Sequence, residues 1–330
     1  MKEFLDPALL FFVFGIVAGA LRSNLEIPAP IARFLSLYLL MALGLKGGFA
    51  LAQSGLTTEV AVTLGSAIAL AVVVPALGYL VLRRALNGFD AAAVSATYGS
   101  VSAVTFITAV QFLDTHGIDY GGHMAAAMAL MESPAIIMAV LLANMVRQRE
   151  AAASRAGALA GVPPAAAMPL KRVLHEALTD GAQLLLLGAM LVGILSGDAG
   201  KAAMQPFAGD LFKGMLAFFL LDMGLQAARN MGQLRGTSPW LLAYAVVGPL
   251  VHAGMALMLA RITGMSPGNG ALLMVLAASA SYIAVPAVVR HAIPEARPSL
   301  YFGLSLGLTF PLNILAGIPV YVAAARWVLG

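Results

Sequence analysis

The chain has 330 residues, of which 61% are apolar and only 10% charged, whereas an ordinary soluble domain carries about 25% charged residues. That balance excludes a soluble globular protein, and the absence of cysteine removes disulfides, thiolate metal centres and cysteine nucleophiles. The net charge of +4 comes with no long basic run interleaved with aromatic residues, which excludes a nucleic-acid platform.

In chain order, ten apolar segments lie between polar, Gly or Pro punctuation: 7–22, 31–53, 59–83, 90–113, 122–146, 174–197, 207–229, 238–261, 268–290 and 299–327. Their lengths centre on the ~20 residues that carry a helix across a hydrocarbon core of ~30 Å, and no short alternating pattern suggests a β-barrel. The first, from Pro7 to Leu21, has the apolar centre of a signal peptide, but no small-residue cleavage site leads from it into a soluble domain, so it reads as a span. The second carries Gly44 and Lys46, the third Pro75, the fourth Gly99-Ser100-Val101-Ser102-Ala103, and the fifth Met131-Glu132-Ser133-Pro134. Residues 147–173 follow, rich in Ala, Gly and Pro with Arg147, Arg149, Arg155, Lys171 and Arg172, too polar and broken to span and read as a cytoplasmic linker. The seventh segment holds Asp222 beside Gly224, the eighth Pro249 and His252, the ninth Ala278-Ser279-Ala280-Ser281-Tyr282 ahead of Pro286, and the tenth Thr309, Pro311 and Asn313. Kinks are expected at Pro75, Pro134, Pro249, Pro286 and Pro311.

Basic residues gather in alternate loops: Arg22 with Arg33, Arg83 with Arg84, the linker, Arg229 with Arg235, and Arg290 with Arg297. By the positive-inside rule these loops face the cytoplasm and both termini lie outside, with Lys201 and Arg261 as exceptions; a bacterial inner (plasma) membrane is the default setting.

The chain also repeats itself. Leu40-Met41-Ala42-Leu43-Gly44-Leu45-Lys46 recurs as Leu220-Leu221-Asp222-Met223-Gly224-Leu225-Gln226, the two Ser-x-Ser clusters recur at nearly the same offset, and Pro134 aligns with Pro311. An odd number of spans per half inverts one copy against the other. The expected fold is an all-α integral membrane protein of ten transmembrane helices in two inverted five-helix repeats, 1–146 and 174–330, joined by the linker.

Small and hydroxylated residues at mid-membrane depth in the fourth and ninth spans are what broken helices need. The second half of such a helix begins with free backbone N–H groups whose partial positive charge, with serine hydroxyls, holds a small anion without Lys or Arg. Carbonyls ending the first half suit a hard cation such as sodium. Close packing alone also selects Ser and Gly in membrane helices, and recurrence in both halves is what favours a site. Charges within spans are costly and default to function: Glu132 and Asp222 are candidate sodium ligands, whereas Lys46 can pair with an acid simply to become tolerable. A hydrolase built on Ser100, Ser102, His252 and His291 lacks the second glycine of a nucleophile elbow and any helical His-Glu-x-x-His pair, while His116, His123 and His175 read as loop or interfacial residues.

These residues resemble the SbtA-type sodium-dependent bicarbonate transporter family. The resemblance runs from Phe14-Gly15-Ile16-Val17-Ala18-Gly19 and Gly44-Leu45-Lys46-Gly47-Gly48, through Tyr98-Gly99-Ser100-Val101-Ser102-Ala103-Val104-Thr105-Phe106 and Met131-Glu132-Ser133-Pro134, to Ala278-Ser279-Ala280-Ser281-Tyr282-Ile283-Ala284-Val285-Pro286. It implies core and gate domains with broken helices 4 and 9, an elevator-like motion, a homotrimer, no cofactor beyond sodium as coupling ion, and inward bicarbonate transport. Bicarbonate would bind at Gly99, Ser100, Val101, Ser102, Ala103, Ser279, Ala280, Ser281 and Tyr282, and sodium at Thr105, Glu132 and Asn313, with Asp222 a further candidate. In cyanobacterial relatives a PII-like protein, SbtB, binds from the cytoplasm and inhibits; the linker here lacks their extended charged segment. The alternatives are a sodium- or proton-coupled symporter of another small anion such as a carboxylate, and a non-transporting membrane sensor or scaffold, which would need no paired broken helices.

Overall fold

The computed structural model describes residues 6–55, 57–156, 179, 181–234 and 236–330. Regular structure among them is helical throughout, as a lone segment in hydrocarbon satisfies its own backbone only as a helix. In chain order these are α1 (Pro7–Ala20), α2 (Ala29–Ser54), α3 (Thr58–Leu82), α4 (Gly88–Gly99), α5 (Ala103–Thr115), α6 (Met124–Ala156), α7 (Gly181–Met204), α8 (Phe212–Met231), α9 (Pro239–Thr263), α10 (Pro267–Ala278), α11 (Ala284–Ala292) and α12 (Pro298–Leu329). Among the described residues seven helical runs are long and apolar enough to cross a membrane, while α1 and α10 are shorter apolar helices.

Local chemistry fixes the helix starts. Asp6 caps α1, accepting from the Ala8 amide at 2.8 Å ahead of Pro7, and Asn87 caps α4 by accepting from the Asp90 amide at 2.8 Å; each cap fills a donor the helix cannot satisfy itself. Gly197, at φ 54°, interrupts α7 where the sixth apolar segment was expected to end, a conformation that glycine adopts without strain.

The helices pack as two groups. In one, α1 lies along α8 and α2 along α7, with α2 also touching α8. Side chains are absent where the paired backbones meet: a Cβ on Gly224 would strike the Phe12 carbonyl and crowd Gly15, and one on Gly48 would strike the Met190 carbonyl and crowd Gly193. Moving one turn from Gly15 to Gly19 moves the facing backbone from Leu221 to Leu225, and moving from Gly44 to Gly48 moves it from Leu186 to Met190, so the helices of each pair run parallel. In contact geometry the counterpart of Gly224 is Gly48, one turn beyond the Gly44 that the recurring heptapeptide aligns with it.

The other group has α4 against α3 and α6, and α10 against α9 and α12, with α5 touching α10 and α11 touching α6. Its two halves are tied in the same way. Asp90, third residue of α4 and 1% exposed, accepts the Arg297 amide at 2.8 Å and its guanidinium at 2.8 Å. Asn269, third residue of α10, accepts the Gly121 amide at 2.7 Å and donates to Glu59 at 2.8 Å. In each half the start of the interrupted helix is thus bolted to the segment that leads into the following long helix.

Three expectations are refined. The fifth span continues past 146, since α6 runs to Ala156 with Arg147 bonded to Glu295 at 2.8 Å; the rest of the linker, with Lys171, Arg172 and His175, lies outside the described residues. Pro75, Pro134 and Pro249 lie inside continuous helices, and Pro286 falls in the first turn of α11, where no intrahelical acceptor is lost. Around Pro311 the helix widens into the π-helical stretches Ser305–Thr309 and Asn313–Gly317.

Replacing Gly224 with Val forces α1 and α8 apart and is expected to cost ~1–3 kcal/mol, lowering the thermal unfolding midpoint in detergent. Gly188→Ala, where a Cβ meets nothing within 4 Å, should leave it unchanged or higher.

Candidate functional site

Both interrupted helices break at their Ser-x-Ser clusters. Gly99 ends α4 because the Pro75 ring sits 2.5 Å from where its Cβ would be. Ser100 and Ser102 are extended, and Ser102 then caps α5, its Oγ accepting from the Thr105 amide at 3.2 Å and from the Thr105 hydroxyl at 2.9 Å. In the second half the chain is non-helical over 279–283, and the Ser281 hydroxyl accepts from the Val285 amide at 3.3 Å at the start of α11.

The breaks satisfy one another. The Ser102 amide donates to Ser279 Oγ at 3.0 Å, whose hydroxyl in turn donates to the Leu276 carbonyl at 2.9 Å, and the Ser281 amide donates to the Thr97 carbonyl at 2.8 Å. Behind them, Asn313 donates to the Ala278 carbonyl at 2.8 Å and is held by the Tyr321 hydroxyl at 2.9 Å. Thr309 donates to the Ala245 carbonyl at 2.8 Å, which leaves the Tyr98 hydroxyl to donate to Thr309 at 2.6 Å.

A cavity of about 170 Å³ opens beside the breaks, walled by Val101, Ser102, Ala103, Ser281 and Tyr282 on one side and by Ser36 and Gln183 on the other. Glu132 is its single charged wall residue, receiving the Gln183 amide nitrogen at 2.7 Å. At ~30 Å³ per liquid water the cavity holds a small oxyanion with an ion or a few waters. Ser36, Tyr282 and Ile283 also line a wider vestibule of about 800 Å³ that carries Arg33 and Arg290.

The structure therefore gathers Val101, Ser102, Ala103, Ser281, Tyr282 and Glu132 around one space. Gly99, Ser100, Ser279 and Ala280 lie buried in the breaks without lining it, and the Ser100 hydroxyl has no hydrogen-bond partner. Thr105 reaches the cavity only through Ser102, Asn313 serves the Ala278 carbonyl, and Asp222 lies in the vestibule with Gln226 bonded to it at 2.7 Å. No group of three or more His, Cys, Asp or Glu able to hold a metal occurs among the described residues. Sequence reading missed Gln183, although a polar residue opening an apolar segment was the available signal, and missed Thr97, whose role is a carbonyl that any residue could supply.

Long apolar helices enclosing a polar cavity between two interrupted ones define a multi-pass helical membrane protein with a site for a small solute. The sequence model of the Na+-dependent bicarbonate transporter superfamily matches residues 7–326, and the chain belongs to that superfamily, as the resemblance implied. No curated protein matches it. Membership implies sodium-dependent bicarbonate transport, with sodium as coupling ion, rather than an enzyme.

Ser279→Ala strands the buried Ser102 amide and should cost ~1–3 kcal/mol of stability, read as a lower unfolding midpoint in detergent. Ser100→Ala, which removes a hydroxyl without a partner, should leave the midpoint unchanged or raise it.

Proposed function

We propose that the chain is a sodium–bicarbonate symporter working by elevator-like alternating access, with ten spans in two inverted five-helix repeats. The gate is α1, α2, α7 and α8 and the core is the rest. The parallel α1–α8 and α2–α7 pairs support this topology, because helices entering from the same side belong to oppositely inserted halves. So do the matched Asp90 and Asn269 ties. Both termini lie outside in a bacterial inner membrane, and the vestibule with Arg33 and Arg290 opens to the cytoplasm. The homotrimer forms through the gate, whose α1 leaves Leu10, Phe11, Phe14 and Val17 exposed. An SbtB-like regulator is outside the proposal, since most of the linker lies outside the described residues.

One observation carries the reading: the starts of α5 and α11 share a cavity with Glu132. Amide groups at both helix starts attract an anion, while the Glu132 carboxylate repels it. A sodium ion between carboxylate and anion converts that repulsion into attraction, so each ion strengthens binding of the other by the same factor. Ser102 and Ser281 hold the anion, Glu132 holds sodium, and Thr105 and Asn313 act from behind by fixing the break. Neutral donors favour a small planar oxyanion over a phosphate, which calls for more positive charge.

The test is uptake of labelled bicarbonate into proteoliposomes with and without an inward sodium gradient, at fixed pH and membrane potential. Sodium-stimulated accumulation is expected. Glu132→Gln should raise the half-saturating sodium concentration about tenfold, equivalent to ~1.4 kcal/mol, and Ser102→Ala should raise that for bicarbonate. Wild-type saturation in both variants would overturn the site, and no uptake by folded protein would move the assignment to another small anion such as a carboxylate.

A further inference from the structure

One ion pair among the described residues joins the two helix groups. Arg147–Glu295 and Arg297–Asp90 both lie within the core, whereas Lys46 of α2 reaches Asp114 of α5 with Nζ 3.4 Å from Oδ2. Both helices lead from the cavity to this pair. Ser36 and Leu40 of α2 and Ala103 of α5 line the cavity, and at 1.5 Å per residue Lys46 lies ~15 Å beyond Ser36 and Asp114 ~16 Å beyond Ala103. The pair is therefore at the end of the molecule remote from the arginine-bearing vestibule.

Each partner is held by its own group. The Lys46 ammonium lies 4.3 Å from the centre of the Phe212 ring at the start of α8, a cation–π contact inside the gate. The second oxygen of Asp114 accepts the Tyr120 hydroxyl at 2.9 Å, inside the core. Beside the pair the two groups press backbone on backbone: a Cβ on Gly47 would lie 2.8 Å from the Gly122 carbonyl oxygen. One end of the interface is thus shut and charge-paired while the other opens through the vestibule.

We propose that Lys46–Asp114 is a latch on the closed side, which must part before the cavity can open away from the arginine-bearing vestibule. The proposal rests on the alternating-access reading. With 29% and 33% of the two side chains exposed, solvent weakens the pair. It biases the equilibrium without locking it, as repeated cycling demands. Tyr120 is a positioning residue that aims the Asp114 carboxylate at α2.

The chain has no cysteine, so single reporters can be placed without a prepared background. Val110→Cys sits fully buried on the closed side beside Lys46 and Asp114, and Ala287→Cys lines the cavity. Labelling by a polar maleimide is followed in lipid nanodiscs, without bicarbonate or sodium. Lys46→Gln or Asp114→Asn should speed labelling at Val110→Cys about two- to fivefold, the range an exposed pair supports, and slow it at Ala287→Cys. The charge swap Lys46→Asp with Asp114→Lys should return both rates toward the parent. Unchanged or slower labelling at Val110→Cys overturns the latch, and so does a rise there without a fall at Ala287→Cys, which is local fraying. If the charge variants do not fold, Tyr120→Phe decides alone by the same two rates. A latch response in protein that takes up no bicarbonate keeps this inference and sinks the substrate assignment.

Discussion

The structure depends on how two interrupted helices satisfy each other inside an apolar medium. Opening a helix in hydrocarbon exposes amides and carbonyls that no water can serve, at several kcal/mol apiece. Here the Ser102 amide uses Ser279 Oγ, the Ser281 amide uses the Thr97 carbonyl, and the Ala278 carbonyl is served by Asn313. A donor that one break exposes is taken up by the other, so neither could persist alone. What remains unpaired lies at the starts of α5 and α11, where a ligand can complete it.

That arrangement needs rigid surroundings, and the chain supplies them with small residues and buried polar ties. Pro75 against Gly99 fixes where α4 ends. Asp90 and Asn269 anchor the outer ends of α4 and α10 to the segments leading into α12 and α6. The gate is built differently, from parallel helices whose glycines bring backbones into contact, the packing that succeeds where lipid competes with every apolar side chain. Polar ties within the core and apolar contact within the gate leave few charged bonds between them, which suits two bodies that slide.

Much of the architecture was legible in the sequence. Apolar run lengths located every long helix, Ser100-Val101-Ser102 and Ser279-Ala280-Ser281 located both breaks, and Glu132 was marked by the cost of a carboxylate in an apolar segment. Lys46 was read as an ion that pairs to become tolerable, and it does pair, with Asp114. The cation set was less legible. Thr105, Glu132, Asn313 and Asp222 were grouped by chemistry, but only Glu132 reaches the cavity wall, because side-chain direction depends on helix rotation and on which neighbour arrives first.

The sequence by itself determined a helical membrane protein made of two related halves with breaks at two serine clusters, since apolar length, charge placement and helix-breaking residues act locally. Only the tertiary structure decided that the breaks bond to each other, that Gln183 closes the cavity on Glu132, that Asp222 belongs to the vestibule, and that Gly48 is the counterpart of Gly224. Those are meetings of residues far apart in the chain. They depend on helix rotation and on parallel or antiparallel approach, which a local pattern does not encode.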